Sequence, residues 1–527
     1  MKTCRTKAHD RLVGWLGLVM VMFCAAAAGV LHSDDARSDD AIDVGSRKQL
    51  FLDEKFIESS QNMTLTMNPP YQTGEVLITA DQPHEEGGHV SLYSSVLKDD
   101  DGRIRLWYDL VTPFGPGPWD HERRVCYAES QDGICFRKPE LGLHEVDGST
   151  ANNVVIPGVI GGGSVWIDPN APPEHRLKTQ AKSYRPTRFP MHSSPDGLHW
   201  DRFIEPNLSG PTDTQTIVFW DAAIQRYVMY TRDWVRTPLS YRAVRRLESD
   251  DLEEWDSQST VWEPDEVDLA TYAIPPDANV PPVDYYGATV FKYPWRDTDE
   301  ADGMDDSVYI MLAQAFWHFT DRGYDGEIGP YVRDVRLAVS RDGKTFERGG
   351  ERAAFLRPGP AGRFDSKQIW ALPNPVPMGD EIWIYYAGTN VDRTRREGSA
   401  RVDPQAPDGE RLAGIGRAIM RLDGFVSADT PYEGGELVTP RIRFAGSRLE
   451  LNVDTAGGGS VLVELLDDDL QPIEGFSRED ATPVIGNSVR MPVRWGEAND
   501  VSALAGTPIR LRFVMRDCKL YAFQFRD

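Results

Sequence analysis

Cysteine is scarce in this chain: five in 527 residues, with Cys4 and Cys24 inside the first 24. That excludes a disulfide-stapled scaffold, which needs a far higher cysteine density. Cys126 and Cys135 flank one predicted hairpin; they could bridge in an oxidising compartment, and two reduced thiols fit equally well. Cys518 is left over. Neither the cysteines nor the ten histidines fall at zinc-binding spacing, and no His-Glu-x-x-His pair exists. Basic residues are also in deficit, 57 Lys and Arg against 82 Asp and Glu, a net charge of -25. Nucleic acid and anionic lipid surfaces both need a basic face, so neither is an expected partner. The same balance disfavours sulfated or uronic-acid polymers unless a local basic cleft overrides it, and a neutral ligand fits best. What the chain does have is apolar content, 40% hydrophobic and 10% aromatic, enough for an extensive core.

Lys2, Arg5, Lys7 and Arg11 precede "LVGWLGLVMVMFCAAAAGVL", and the acidic "HSDDARSDD" follows. A basic, then apolar, then small-residue order reads as a secretory leader over residues 1–33, with cleavage between Ala25 and Leu31. The expected location is periplasmic or extracellular, without stable membrane insertion after processing. The apolar run is also long enough to serve as an uncleaved anchor.

One short pattern recurs: "SQDGICF" at 130, "SPDGLHW" at 194, "SDDLEEW" at 249 and "SRDGKTF" at 340, with a degenerate copy at Asp423-Gly424. Ser, any residue, Asp, usually Gly, then Trp or Phe describes a tight turn followed by an aromatic anchor. Around each copy lie three or four short alternating strands joined by hairpins, for example "RIRLWYDL" and "RRVCYAES" before the first. Five such four-stranded antiparallel units in tandem predict an all-β chain: a five-bladed β-propeller over 80–430, followed by a small C-terminal β-sandwich over 431–527. Residues 34–79 supply a linker and N-terminal strands that close the ring or pack on the C-terminal domain. The repeat itself is read as scaffold.

In a propeller the innermost strands begin on one rim, so residues there converge. The first unit offers Glu85, Glu86 and His89; the third Asp213 and Gln215; the fourth Asp284; the fifth Asp365, Lys367 and Trp370. The second unit has no acid at its start. Carboxylates facing one cavity are what glycoside cleavage needs, one to donate a proton and one to activate water or attack carbon. Glu86, Asp213 and Asp365 are the catalytic candidates. His89, Gln215, Arg232, Asp284, Trp317 and Trp370 are the substrate-binding candidates, with Tyr93, Trp107, Trp234 and Tyr286 as further aromatics that could stack on a sugar. The acidic stretches "KDDDG" and "DTDEADGMDD" read as solvated hairpin tips. No cofactor or catalytic metal is expected; a structural calcium or other cation on the propeller axis stays open.

The blade count, the turns and the acids at inner-strand starts resemble the five-bladed glycoside hydrolases of families 32, 43 and 68, the arabinanase, levansucrase and invertase group. "LFLDEKFI", "FDSKQIW" and "KLYAFQF" are similar to a group of uncharacterised exported bacterial proteins. The resemblance implies an acid from each of the first three blades: a base or nucleophile Asp, a tuning Asp and a general-acid Glu. Here Glu86 stands where the first Asp is expected and Asp213 where the Glu is, the "NDPNG" and "ECP" motifs are absent, and "WIDP" carries Trp166 where "RDP" has arginine. Three readings follow: an exported hydrolase of a neutral oligo- or polysaccharide, a non-catalytic carbohydrate-binding or cell-surface propeller, and a glycoside phosphorylase. Oligomeric state is not legible.

Overall fold

The computed structural model describes residues 41–113, 121–159, 163–181, 189–236, 240–256, 259–270, 281–293, 308–318, 331–392 and 401–527. The expected leader and the acidic stretch 297–306 lie outside them. Among the described residues the regular secondary structure is nearly all strand, with one short α-helix, Glu266–Leu269, and a few 3-10 turns. No helix among them is long and apolar enough to cross a membrane.

Most strands pair antiparallel with their neighbours in sequence, and a parallel pairing of Arg333 with Gln368 joins the fourth and fifth groups below into one sheet. The first comprises His89–Lys98, Ile104–Pro113, His121–Ser130 and Val154–Pro157; the second Trp166–Ile167, Leu177–Gln180, Met191–Ser194 and Asp201–Ile204. The third runs Ile217–Asp221, Arg226–Val235, Tyr241–Ser249 and Ser259–Trp262. Val283–Tyr293, Val308–His318, Tyr331–Ser340 and Glu347–Arg348 follow as a fourth group. A fifth group pairs Gln368–Ala371, Glu381–Thr389 and Ala413–Arg421, and its outer strand, Tyr71–Gln72, comes from the start of the chain.

Apolar side chains fill the space between successive groups. Trp107 and Tyr127 pack with Val165 and Leu177, Trp166 and Met191 with Met229 and Leu252, and Val228 and Val244 with Val290 and Met311. Ile310 and Leu337 meet Ile369 and Ile384, and the fifth group packs back on the first through Tyr385, Ile415, Tyr108 and Val154. A strand covered on both faces reads as a continuous apolar run; "VYIMLAQAFWH" in Val308–His318 is such a strand.

The repeated turn clamps neighbouring sheets. Ser130, Ser194, Ser249 and Ser340 each accept, through Oγ, the N–H three residues on, at 2.8–2.9 Å. Each Asp carboxylate accepts the backbone N–H groups two and three residues on, and these bonds hold Asp132 at a pKa of about 2. The turn's carbonyl then docks elsewhere: Trp107 donates to Gly197 O at 2.7 Å, Tyr230 to Gly343 O and Tyr385 to Gly133 O, both at 2.8 Å. Gly133 sits at φ +72°, where a β-carbon would lie 2.6 Å from the Tyr385 hydroxyl, so the turn needs glycine for backbone and for space. The third copy holds Leu252 at φ +70° with its side chain buried against the second sheet.

The C-terminal strands Gly435–Val438, Arg448–Leu466, Asn487–Pro492 and Arg510–Arg526 form another antiparallel sheet. Gln49–Leu50, Ser59–Gln61 and Thr64–Met67 add to it from the start of the chain. Asp423, fully buried just after the last strand of the fifth group, accepts from Tyr293 Oη of the fourth group at 2.5 Å, from Asn452 Nδ2 of this sheet at 2.8 Å and from Lys48 Nζ at 3.0 Å.

Candidate functional site

The first strands of the groups are cross-linked at several points. Val165 N donates to Ser95 Oγ at 2.9 Å, Ser164 N to Thr216 O at 3.1 Å, and Thr289 Oγ1 to Ala371 O at 2.7 Å. Asn374 Nδ2 reaches both Val96 O and Val165 O at 3.0 Å. Gln215 is the hub: its Nε2 donates to Ser94 O at 2.8 Å and its Oε1 accepts from Trp370 Nε1 at 2.8 Å. One amide thus joins the first, third and fifth groups.

Above that hub lies an aromatic and cationic cluster. Tyr93 and Tyr286 stand edge-on to Trp370, with ring centroids 5.3 and 5.6 Å away. Arg232, 1% exposed, donates to Asp213 at 2.8 Å and to Tyr286 O at 2.6 Å, and its guanidinium lies 4.2 Å from the Tyr286 ring centre. Arg333 and Arg242 face the same ring at 4.0 and 5.0 Å. Arg123 lies 6.0 Å from the Tyr93 ring and pairs with buried Asp109 at 3.0 Å. Asp213 is the accessible acid of the cluster, its side chain 64% exposed. Tyr93 is half-buried.

Asp213, Gln215, Arg232 and Trp370 are therefore brought together, in two layers. Arg232, Gln215 and Trp370 are buried support, and Trp370, 0% exposed, has no open face for a sugar. Asp284 turns inward, accepting from Arg242 at 2.8 Å beside His318 at 3.4 Å. Burial acts to raise its pKa, but the Arg242 charge and the His318 bond outweigh it and hold the carboxyl well below the usual range. Asp365 is buried within the fifth group, accepts from Tyr386 Oη at 2.8 Å, and is raised by burial above the usual range. Its described contacts, to Tyr386 and within the fifth group, lie apart from the cluster. Trp317 is half-buried and donates to Asp334 at 3.2 Å.

Glu86 is exposed on the turn leading into His89–Lys98, while its neighbour Glu85 is fully buried, accepting from Tyr108 Oη at 2.5 Å and Lys138 Nζ at 2.7 Å. His89 contacts Arg411 at 2.8 Å. Among the described residues His84, Glu85 and Cys126 group closely enough to ligate a metal. The Lys138 ammonium already occupies the Glu85 carboxylate, and burial pushes the Cys126 thiol far up, so the set is poorly suited to an ion. Cys126, Cys135 and Cys518 are all free thiols, and of the hairpin pair only Cys126 is buried.

The arginines at the rim, Arg123, Arg242 and Arg333, went unread in the sequence. Each lies seven residues ahead of a repeat serine, Ser130, Ser249 and Ser340, so aligning the copies on that serine exposes them.

Comparison with protein-family models finds no match, and comparison with curated proteins finds none either. Solved structures that resemble the chain include an N-acetylgalactosamine deacetylase from F. plautii in complex with blood group B trisaccharide. It is 15% identical, with 68% of this chain and 96% of that one covered at a TM-score of 0.43. A thermostable family-43 glycoside hydrolase is 14% identical over 68% of this chain and 95% of its own, TM-score 0.39. A β-1,2-mannobiose phosphorylase from Listeria innocua is 14% identical over 67% and 97%, TM-score 0.40. At these values the likenesses assign no activity.

Proposed function

We propose that the five strand groups form a five-bladed β-propeller carrying a C-terminal β-sandwich, and that the protein is an exported glycoside hydrolase whose site is the rim around Asp213. The observation that carries this is the exposed Asp213 carboxylate, held by buried Arg232 in the same cluster as the half-buried ring of Tyr93. A carboxylate fixed by an ion pair next to an aromatic surface suits a sugar ring and a water to be activated. Glu86, the other exposed candidate acid, is assigned the proton donor. Asp284 and Asp365 serve the scaffold.

The test is sugar release from a panel of oligosaccharides and aryl glycosides. Loss of release in both Asp213→Asn and Glu86→Gln, with binding retained, supports the assignment. Release that survives both substitutions sinks it. A second reading, binding without cleavage, is favoured by the burial of Asp284 and Asp365, which removes two of the four candidate carboxylates from the rim. Binding across the panel with no release by the unaltered protein would establish it.

A further inference from the structure

An open cleft of about 400 Å3 lies away from the rim, where the fifth group meets the C-terminal sheet. Ile419 and Val489 supply its apolar lining, and Asp380, Glu381, Arg421 and Asn487 its polar groups. The strand Glu381–Thr389 starts at this cleft and ends paired with Gln368 of the fifth group's first strand. At about 3.4 Å per residue that strand sets the cleft roughly 27 Å from the rim. The polar groups are fixed in place. Arg421 donates to Asn452 Oδ1 at 2.6 Å and to Val453 O at 3.1 Å, and its guanidinium lies 5.0 Å from the Tyr521 ring centre. Asn487 Oδ1 accepts from the same guanidinium, which turns the Asn487 amide donor the other way. Glu381 accepts from Trp383 Nε1 and Asp380 from Arg490, each at 2.8 Å, and each bond engages one carboxylate oxygen. Asp380, Glu381 and Asn487 are all exposed.

An aromatic ring stands beside these groups. Strand pairing sets Ile419 opposite Trp383 on one side and Tyr71 on the other, so the three side chains form a row on one face. Trp383 and Ile419 pack into the core shared with the first group, whereas Tyr71 is 71% exposed. A tyrosine ring offers an apolar face with a polar tip, which suits the C–H face of a sugar. Carboxylates accept strongly from hydroxyl groups, and the Asn487 amide adds a donor. A concave surface with an apolar lining and a few fixed polar groups, at a junction between two packed units, is the usual form of a small-ligand site. Two exposed carboxylates repel an anion, so the chemistry selects a neutral ligand.

We propose that this cleft binds a neutral saccharide chain, with Tyr71 against a sugar face and Asp380, Glu381 and Asn487 on its hydroxyls. The site is separate from the rim and does not depend on what the rim does. The test measures binding of laminarin, dextran, galactan and β-mannan as neutral polymers, and of polygalacturonate as an anionic one, by affinity electrophoresis and calorimetry. Tyr71→Ala, Tyr71→Phe, Asn487→Ala and Asp213→Asn run beside the parent, each checked for retained fold by circular dichroism. At least one neutral polymer should bind, with affinity about tenfold weaker in Tyr71→Ala and Asn487→Ala. Tyr71→Phe keeps the ring and should bind as the parent does, and so should Asp213→Asn. If Tyr71→Ala fails to fold, Asn487→Ala decides alone. Binding lost in Asp213→Asn and untouched in the cleft variants overturns the proposal and leaves the rim as the saccharide site. Polygalacturonate bound more tightly than every neutral polymer, and weakened by Tyr71→Ala, overturns the neutral assignment. No binding of any neutral polymer overturns the cleft as a saccharide site.

Discussion

Replacing Gln215 by alanine separates a ligand-binding role from a structural one. The amide is fully buried and makes two bonds of 2.8 Å, to Ser94 O and from Trp370 Nε1. Ser94 is 2% exposed and Trp370 0%, so neither orphaned group can turn to water. An unsatisfied buried donor or acceptor costs about 1–3 kcal/mol, so the pair gives a loss of about 2–6 kcal/mol before any cavity is counted. Gln215→Glu sharpens the case. A carboxyl keeps the acceptor for Trp370 but donates to Ser94 O only when protonated, and burial raises its pKa. A raised folded-state pKa gives stability that is present below the unfolded value of about 4.3 and is lost as pH rises through the folded value. Gln215→Glu should therefore be closest to the parent near pH 4 and furthest from it near pH 8. Urea unfolding followed by tryptophan fluorescence reads both variants, with saccharide affinity measured in parallel. The reasoning is refuted if Gln215→Ala unfolds within about 0.5 kcal/mol of the parent while affinity collapses; the side chain would then face the ligand.

Asp284→Ala removes a buried carboxylate that pairs with Arg242 and should cost about 3–5 kcal/mol in the same assay. Because the Asp284 pKa is depressed in the fold, its contribution is present above the unfolded value near 4 and lost as pH falls through the folded one. Asp284→Asn should accordingly flatten the acid limb of the stability profile, and an unchanged limb would remove Asp284 from its cause. Asp365 is shifted the other way by burial, so Asp365→Asn, which still accepts from Tyr386, should hold stability within about 1 kcal/mol and leave sugar release intact; loss of release with the fold intact would return Asp365 to the site.

Local pattern alone determined the all-β character, the hairpins, and the Ser-x-Asp-Gly turn down to which groups bond. Those features arise within a few residues: a hydroxyl or carboxylate reaching the next backbone N–H groups, and a positive φ that favours glycine. That acids stand near strand starts was legible too; that Arg232, read as a substrate-binding residue, is buried support for Asp213 was not. Tertiary structure alone decided which acids face out. Glu85 and Glu86 are adjacent, yet one is buried against Lys138 and the other is exposed; Asp213 and Asp284 begin neighbouring strands, yet one meets solvent and the other Arg242. Alternation normally separates inside from outside, but in sheets covered on both faces it separates only one neighbour from the other. Gln215 shows the consequence. Its partners, Ser94 and Trp370, lie 121 and 155 residues away in the chain, and only the closing of the strand groups on one another turned a polar strand residue into buried support.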